Sequence, residues 1–140
     1  MIRQAYIHDL EAMVEVDKQV IGHEGRRKEI EESIKHEQCL IAIKDHQVAG
    51  FLLFHTSFFE CNFISLIIVA PNERRKGYAT ALIQQFEKMA PTKKVFSSTN
   101  ESNKTMHQVF RENGYERSGI IENLDEGDPE IVYFKQVAAN

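Results

Sequence analysis

Apolar residues recur along this chain with two periods, and the switch between them marks its elements. Near the amino terminus IRQAYI alternates weakly and predicts a first strand. Asp9 stands as an N-cap for a helix whose stripe is Leu10, Met13 and Val14, continuing towards Val20. Gly22 and Gly25 interrupt the pattern, and RRKEIEESIKH reads as a second helix, its thin stripe of Ile30 and Ile34 placing it at the surface. Three runs rich in Ile, Val and Phe follow, CLIAIK, VAGFLLFHTSFF and NFISLIIVA. The polar turn DHQ separates the first two, so an antiparallel strand series is expected. After Val69 the period changes: Ala79, Leu82, Phe86 and Met89 share a helical face that Pro91 ends. KVFSST predicts another strand, then a helix from about Ser102 to Asn113 buries Met106, Val109 and Phe110, with Gly114 at its C-terminal cap. YERSGII and EIVYFK predict two last strands around the loop ENLDEGDP. The expected order is β-α-α-β-β-β-α-β-α-β-β, a mixed α+β fold in a single domain over residues 1–140.

Composition narrows the class. The chain is 42% hydrophobic and 27% charged, as expected of a globular protein with a real core. No apolar run approaches the ~20 residues of a membrane helix. The start MIRQAYIHDLEAM lacks the apolar stretch and cleavage site of a secretory signal, so a cytoplasmic location is expected. Cys39 and Cys61 each lie beside apolar sequence and read as reduced, packed thiols. HEGRR at 23–27 holds only the first half of a zinc-protease motif, so no metal site is expected. A net charge of −4 argues against nucleic acid as a partner and leaves room for a cationic substrate.

The stretch APNERRKGYATALIQQFE, residues 70–87, stacks Arg74, Arg75 and Lys76 before Gly77, just where a helix opens. A helix start exposes unpaired N–H groups and the positive end of the macrodipole, so it favours an anion. Small residues at 77 and 79 would let a bulky anion approach backbone amides from Arg75 to Thr80. Surface cations around a turn are also common without any ligand. Two anion motifs are missing. Gly114 and Gly119 have P-loop spacing but are followed by Ile120 and Ile121, and no G-x-G-x-x-G occurs.

The segment LIIVAPNERRKGYATALI resembles motif A of the GNAT superfamily of acyl-CoA-dependent N-acetyltransferases, with Val69, Pro71, Arg74, Gly77 and Ala79 at its marks. NESNKTMHQVFRENGY is similar to the family's next motif, with Asn103, Gly114 and Tyr115 in place. The resemblance covers nearly the whole chain. It implies a central, mostly antiparallel, twisted sheet of six to seven strands flanked by about four helices, splayed at the strand before residue 70. It further implies acetyl-CoA as co-substrate. The backbone of Ile67, Ile68 and Val69 would pair with the pantetheine arm, and amides from Arg74 through Arg75, Lys76, Gly77, Tyr78 and Ala79 to Thr80 would hold the pyrophosphate. Asn103 would meet the pantetheine or the thioester end. A homodimer is compatible with the family.

Acetyl transfer to an amine needs a neutral nucleophile, a polarised thioester carbonyl and a departing thiolate. The family's usual proton donor is a tyrosine, and here that position is Phe110. Tyr115 and Tyr133 are the alternatives, and a thiolate with a pKa near ~8.5 can also leave without an acid. Many relatives carry a carboxylate near position 65, where this chain has Ser65; Glu60, His55, Glu24 and Glu73 remain as bases. The expected catalytic set is Glu60, Ser65 and Tyr115. Asp125 and Asp128 in the hairpin loop, with Glu24, would form an acidic rim for a cationic amine such as an amino sugar or polyamine. A solvated turn explains the same loop. The expected activity is transfer of an acetyl group to a small primary amine, the alternatives being a protein N-acetyltransferase or a non-catalytic acyl-CoA-binding module.

Overall fold

A computed structural model describes residues 1–137. In chain order it comprises strand β1 (Ile2–Gln4), helices α1 (Leu10–Ile21) and α2 (Arg27–Lys35), and strands β2 (Cys39–Lys44), β3 (Gln47–Phe58) and β4 (Cys61–Val69). Helix α3 (Tyr78–Met89), strand β5 (Lys94–Asn100), helix α4 (Lys104–Glu112) and strands β6 (Glu116–Ile121) and β7 (Glu130–Gln136) follow. The seven strands form one sheet in the order β1-β2-β3-β4-β5-β7-β6. β4 and β5 run parallel, whereas β1–β2, β2–β3, β5–β7 and β6–β7 pair antiparallel. The order is the one the hydrophobic pattern predicts, and the fold is the expected α+β sheet with four helices.

The β2–β3 and β3–β4 turns both use left-handed residues. Asp45 and His46 have φ of 51° and 65°, and Phe59 and Glu60 have φ of 51° and 63°. Two consecutive left-handed residues match the right-handed twist of the flanking strands, which explains the tight turns without glycine.

Contacts gather the chain into two units. The first holds Met1–Phe54 and Leu66–Phe86. Its core sets Leu10, Met13, Val14 and Val16 of α1, with Ile30 and Ile34 of α2, among Ile41, Phe51, Leu53 and Ile68 of the strands. From α3, Leu82, Ile83 and Phe86 are buried, and the Phe86 ring meets Phe54 at 4.6 Å between centroids.

Asp9 departs from its expected role. It precedes α1, but its carboxylate makes no cap bond to that helix. It accepts instead from the Tyr6 amide at 2.7 Å and from both arms of Arg3 at 2.8 and 2.9 Å, fastening the 3₁₀ turn Ile7–Asp9 to β1. A bidentate guanidinium outweighs a cap because it neutralises a carboxylate that is nearly buried. The Arg3 hydrogen bonds hold the Asp9 carboxyl below the usual carboxylate range. The stabilisation is therefore full above the unfolded value of about 3.9 and is lost as pH falls through the lower folded pKa. In urea unfolding, Asp9→Asn is expected to be less stable than the parent at pH 6, and the gap to close steadily from pH 4 to pH 2. A gap constant with pH would mean that the pairing contributes nothing.

The second unit holds His55–Ser65 and the described residues from Glu87 to Val137. β5 and β7 pair along their length, from Lys94↔Gln136 to Asn100↔Glu130, and β6 lies outside β7 with every residue exposed. The β4–β5 ladder is short. It runs from Asn62↔Val95 to Ile64↔Ser97, where the Ser97 hydroxyl donates to the Ile64 carbonyl at 2.8 Å. β4 itself continues to Val69.

Candidate functional site

The anion turn lies in the first unit. The Ala70 amide donates to the Ala49 carbonyl at 2.8 Å, which pins the end of β4 to β3. Here β3 comes close: a Cβ on Gly50 would sit 2.6 Å from the Ile68 carbonyl oxygen. A 3₁₀ turn, Pro71–Glu73, follows, then an extended Arg74 with φ −74° and ψ 156°. Arg75 is left-handed at φ 63° and Gly77 at φ 85°. The first intrahelical bond of α3 runs from Ala81 to the Gly77 carbonyl at 2.9 Å, which leaves the Tyr78 and Ala79 amides at the helix mouth. A Cβ on Gly77 would meet nothing within 4 Å, so it faces open space.

The cations divide. Lys76 donates to Glu73 at 3.3 Å, and Lys44 donates to the same carboxylate. Arg74 donates weakly to the Val69 carbonyl at 3.4 Å, and Arg74, Arg75 and Lys76 are all exposed. Glu73, one of the considered bases, is thus held between two ammonium groups. Open space at a left-handed glycine, first-turn amides and exposed guanidinium groups are what a diphosphate requires. The residues present fit the phosphate portion of coenzyme A.

The remaining candidates lie on separate features. Glu60 is exposed in the left-handed turn between β3 and β4, and Ser65 is exposed on β4. Tyr115 is buried; its phenol donates to Glu87 at 2.8 Å, and Lys135 donates to the same carboxylate at 3.0 Å. Burial, then the Glu87 bond, push the Tyr115 hydroxyl far above its ordinary pKa. Asn103 caps α4 by accepting from the Met106 amide at 3.2 Å. Glu24 accepts from Arg27 at 2.7 Å. In the hairpin loop Asp125 accepts from Asn100 at 2.8 Å, and Asp128 accepts from the Ser102 amide and hydroxyl at 3.0 and 2.6 Å. Both loop carboxylates thus anchor the loop to the β5–α4 connection.

Phe110 is buried and stacked on Tyr133, with ring centroids 4.7 Å apart. His107 was not singled out by the sequence, although it lies one helical turn before Phe110 on the buried face of α4. Its Nε2 lies 3.1 and 3.0 Å from the carbonyls of Asn100 and Glu101, so that nitrogen carries the proton. Nδ1 then accepts from the Tyr133 hydroxyl. Both tyrosines considered as acids therefore already donate within the protein. Cys39 and Cys61 are free thiols, and burial pushes Cys39 up to about 12. Among the described residues no cluster of His, Cys, Asp or Glu could hold a metal ion, and no helix is long and apolar enough to cross a membrane.

With this geometry in place, comparison with known proteins gives the class. The chain matches the acetyltransferase (GNAT) family over residues 5–115 and belongs to that family. It is an acetyltransferase that uses acetyl-CoA. A GNAT-family acetyltransferase of Bacillus cereus ATCC 10987 is 48% identical, with a TM-score of 0.96, covering 99% of this chain and 98% of that one. The ribosomal-protein-S18-alanine N-acetyltransferase of Escherichia coli shares the fold at 15% identity and a TM-score of 0.85, covering 100% of this chain and 95% of that one. An aminoglycoside 6'-N-acetyltransferase complexed with coenzyme A does so at 12% identity and a TM-score of 0.83, covering 100% and 98%. Comparison with curated proteins returns no match.

Proposed function

We propose that one domain transfers the acetyl group of acetyl-CoA to a small cationic primary amine, with the turn from Arg74 to Thr80 holding the diphosphate. The observation that carries the reading is Gly77 at φ 85°, opening on free space at the mouth of α3. The backbone of Ile67, Ile68 and Val69, beyond the short β4–β5 ladder, is the stretch available to the pantetheine arm. Acetyl-CoA supplies the activated thioester; the chain supplies orientation and charge. Tyr115 donates to Glu87, Tyr133 donates to His107 and Phe110 has no proton to give. The ammonium first gives up a proton to water and attacks as the neutral amine. Collapse of the tetrahedral intermediate breaks the carbon–sulfur bond and expels the thiolate, and the second amine proton passes through water to that thiolate, whose pKa near ~8.5 lets it leave without a dedicated acid.

Calorimetric titration tests the donor half, with acetyl-CoA and desulfo-CoA as ligands and NAD as a second diphosphate. Saturable binding of both coenzyme A compounds, with NAD at least ~10-fold weaker, is the expected result. Thiol release on adding primary amines then tests transfer. A folded protein that binds neither coenzyme A compound at millimolar concentration would overturn the reading. A protein that releases thiol only with peptides would move the acceptor from small amines to protein termini.

A further inference from the structure

Five rings form a connected row on one side of the second unit. His55 stacks on Phe63 at 5.4 Å between centroids, and Phe63 meets Phe58 at 4.7 Å. Phe58 meets Phe96 at 5.2 Å, and Phe96 meets Phe134 at 5.1 Å. The row crosses β3, β4, β5 and β7, which are consecutive in the sheet. Register places Phe63, Phe96 and Phe134 on a common face, because Phe63 pairs with Phe96 and Phe96 with Phe134, and the rings of His55 and Phe58 join them by direct contact. All five are partly exposed, whereas Val95, Ser97, Thr99, Ile131 and Tyr133 on the opposite face are buried. A sheet with one face buried and a band of partly exposed phenyl rings on the other presents a contiguous apolar surface.

Carboxylates border the band. Glu116 of β6 lies directly opposite Phe134 and is exposed. Glu130 lies on the same face of β7, four residues from Phe134, and accepts from the Ser98 hydroxyl at 2.7 Å. Ser98 in turn follows Phe96 by two residues on β5, and Ser65 follows Phe63 by two on β4, so both hydroxyls share the ring face. Ring faces carry negative potential and attract ammonium groups, and a neighbouring carboxylate adds directly to that attraction.

We propose that this aromatic face binds the acceptor, and that the acceptor is a small primary amine carried on an apolar, preferably aromatic, body. The body lies against Phe96 and the rings beside it while the ammonium faces Glu130. This rests on the acetyltransferase reading and sharpens it. Amino sugars and linear polyamines match the carboxylates but lack the apolar body that four ring faces reward.

Saturation-transfer NMR and calorimetry without any acetyl donor test the inference separately from transfer. The probes are 2-phenylethylamine, spermidine, kanamycin and a short peptide with amino-terminal Phe. Expected is binding of 2-phenylethylamine at least ~10-fold tighter than that of the other three, and weakened ~10-fold or more by Phe96→Ala. Phe134→Leu keeps an apolar side chain and removes a ring face; it should weaken binding ~3-fold or more, and it serves as the second variant should Phe96→Ala fail to fold. Acetyl-CoA affinity should not change in either variant. Equal or tighter binding of spermidine, kanamycin or the peptide overturns the proposal. So does 2-phenylethylamine binding that both folded variants leave intact. Loss of acetyl-CoA binding by the parent would instead count against the acetyltransferase reading alone.

Discussion

Gly77→Glu is expected to weaken acetyl-CoA binding by at least ~100-fold, about 2.7 kcal/mol, with only a modest fall in melting temperature. Two effects act in the same direction on the ligand. The position has φ 85°, which costs an L-residue about 1–2 kcal/mol. The new side chain would also project into the open space at the mouth of α3. A carboxylate there takes the favourable place at the positive end of the helix, which offsets part of the backbone cost. The same carboxylate then excludes and repels a diphosphate. Gly77→Ala separates the two contributions, since it carries the backbone strain without the charge, and should lose no more than ~10-fold. Calorimetry on both variants decides the matter. If Gly77→Glu binds acetyl-CoA like the parent, the diphosphate is not held at this turn.

The largest effect on stability is expected from Arg26→Ala. Asp17 projects from α1 with a side chain only 3% exposed, and Arg26 grips it with Nε at 3.0 Å and Nη2 at 2.6 Å. Removing the guanidinium leaves a carboxylate in the core without its counter-charge, which costs about 3–5 kcal/mol in comparable cases. That is a large share of the ~5–15 kcal/mol that holds a domain of this size together. The double replacement Asp17→Leu with Arg26→Met should recover most of the loss, because the penalty comes from the orphaned charge rather than from the absent pair. Denaturant midpoints for the three proteins provide the check. A single variant within 1 kcal/mol of the parent would show that water reaches Asp17 freely.

Exposed charge pairs are expected to behave differently. Arg27 bridges Glu11 at 2.6 Å and Glu24 at 2.7 Å, yet all three groups are open to solvent. Pairs of that kind contribute little, because water already solvates each partner and salt screens their attraction. Glu24 was read from the sequence as part of an acidic rim, but its geometry makes it one arm of this surface cluster.

Element order was legible because each element carries its own period. CLIAIK occupies β2 residue for residue, and the helix expected from about Ser102 became α4 with Asn103 as its cap. The anion turn was legible for a similar reason: cations, a glycine and a helix start are consecutive in the chain. Partners distant in sequence were not legible. Asp9 has the composition and position of an N-cap, but nothing local reveals that Arg3 is brought beside it. Tyr115 reads as a candidate acid, and nothing local reveals that its hydroxyl donates to Glu87, 28 residues away. The loop acids Asp125 and Asp128 read as a substrate rim or a solvated turn, and only the structure shows that Asn100 and Ser102 hydrogen-bond to them.

By itself, then, the sequence determined the elements, their order and the turn of cations and glycine that opens α3, because those depend on neighbours a few residues apart. The tertiary structure alone decided which polar groups are already satisfied and which rings share a face. Phe58, Phe63, Phe96 and Phe134 stand on different strands, and each one read separately is an ordinary strand residue. Strand pairing and ring contacts set them in one partly exposed row, with Glu130 on the same face of β7. Register is fixed by the burial of the opposite face, and a shift of one residue would have turned every ring inward.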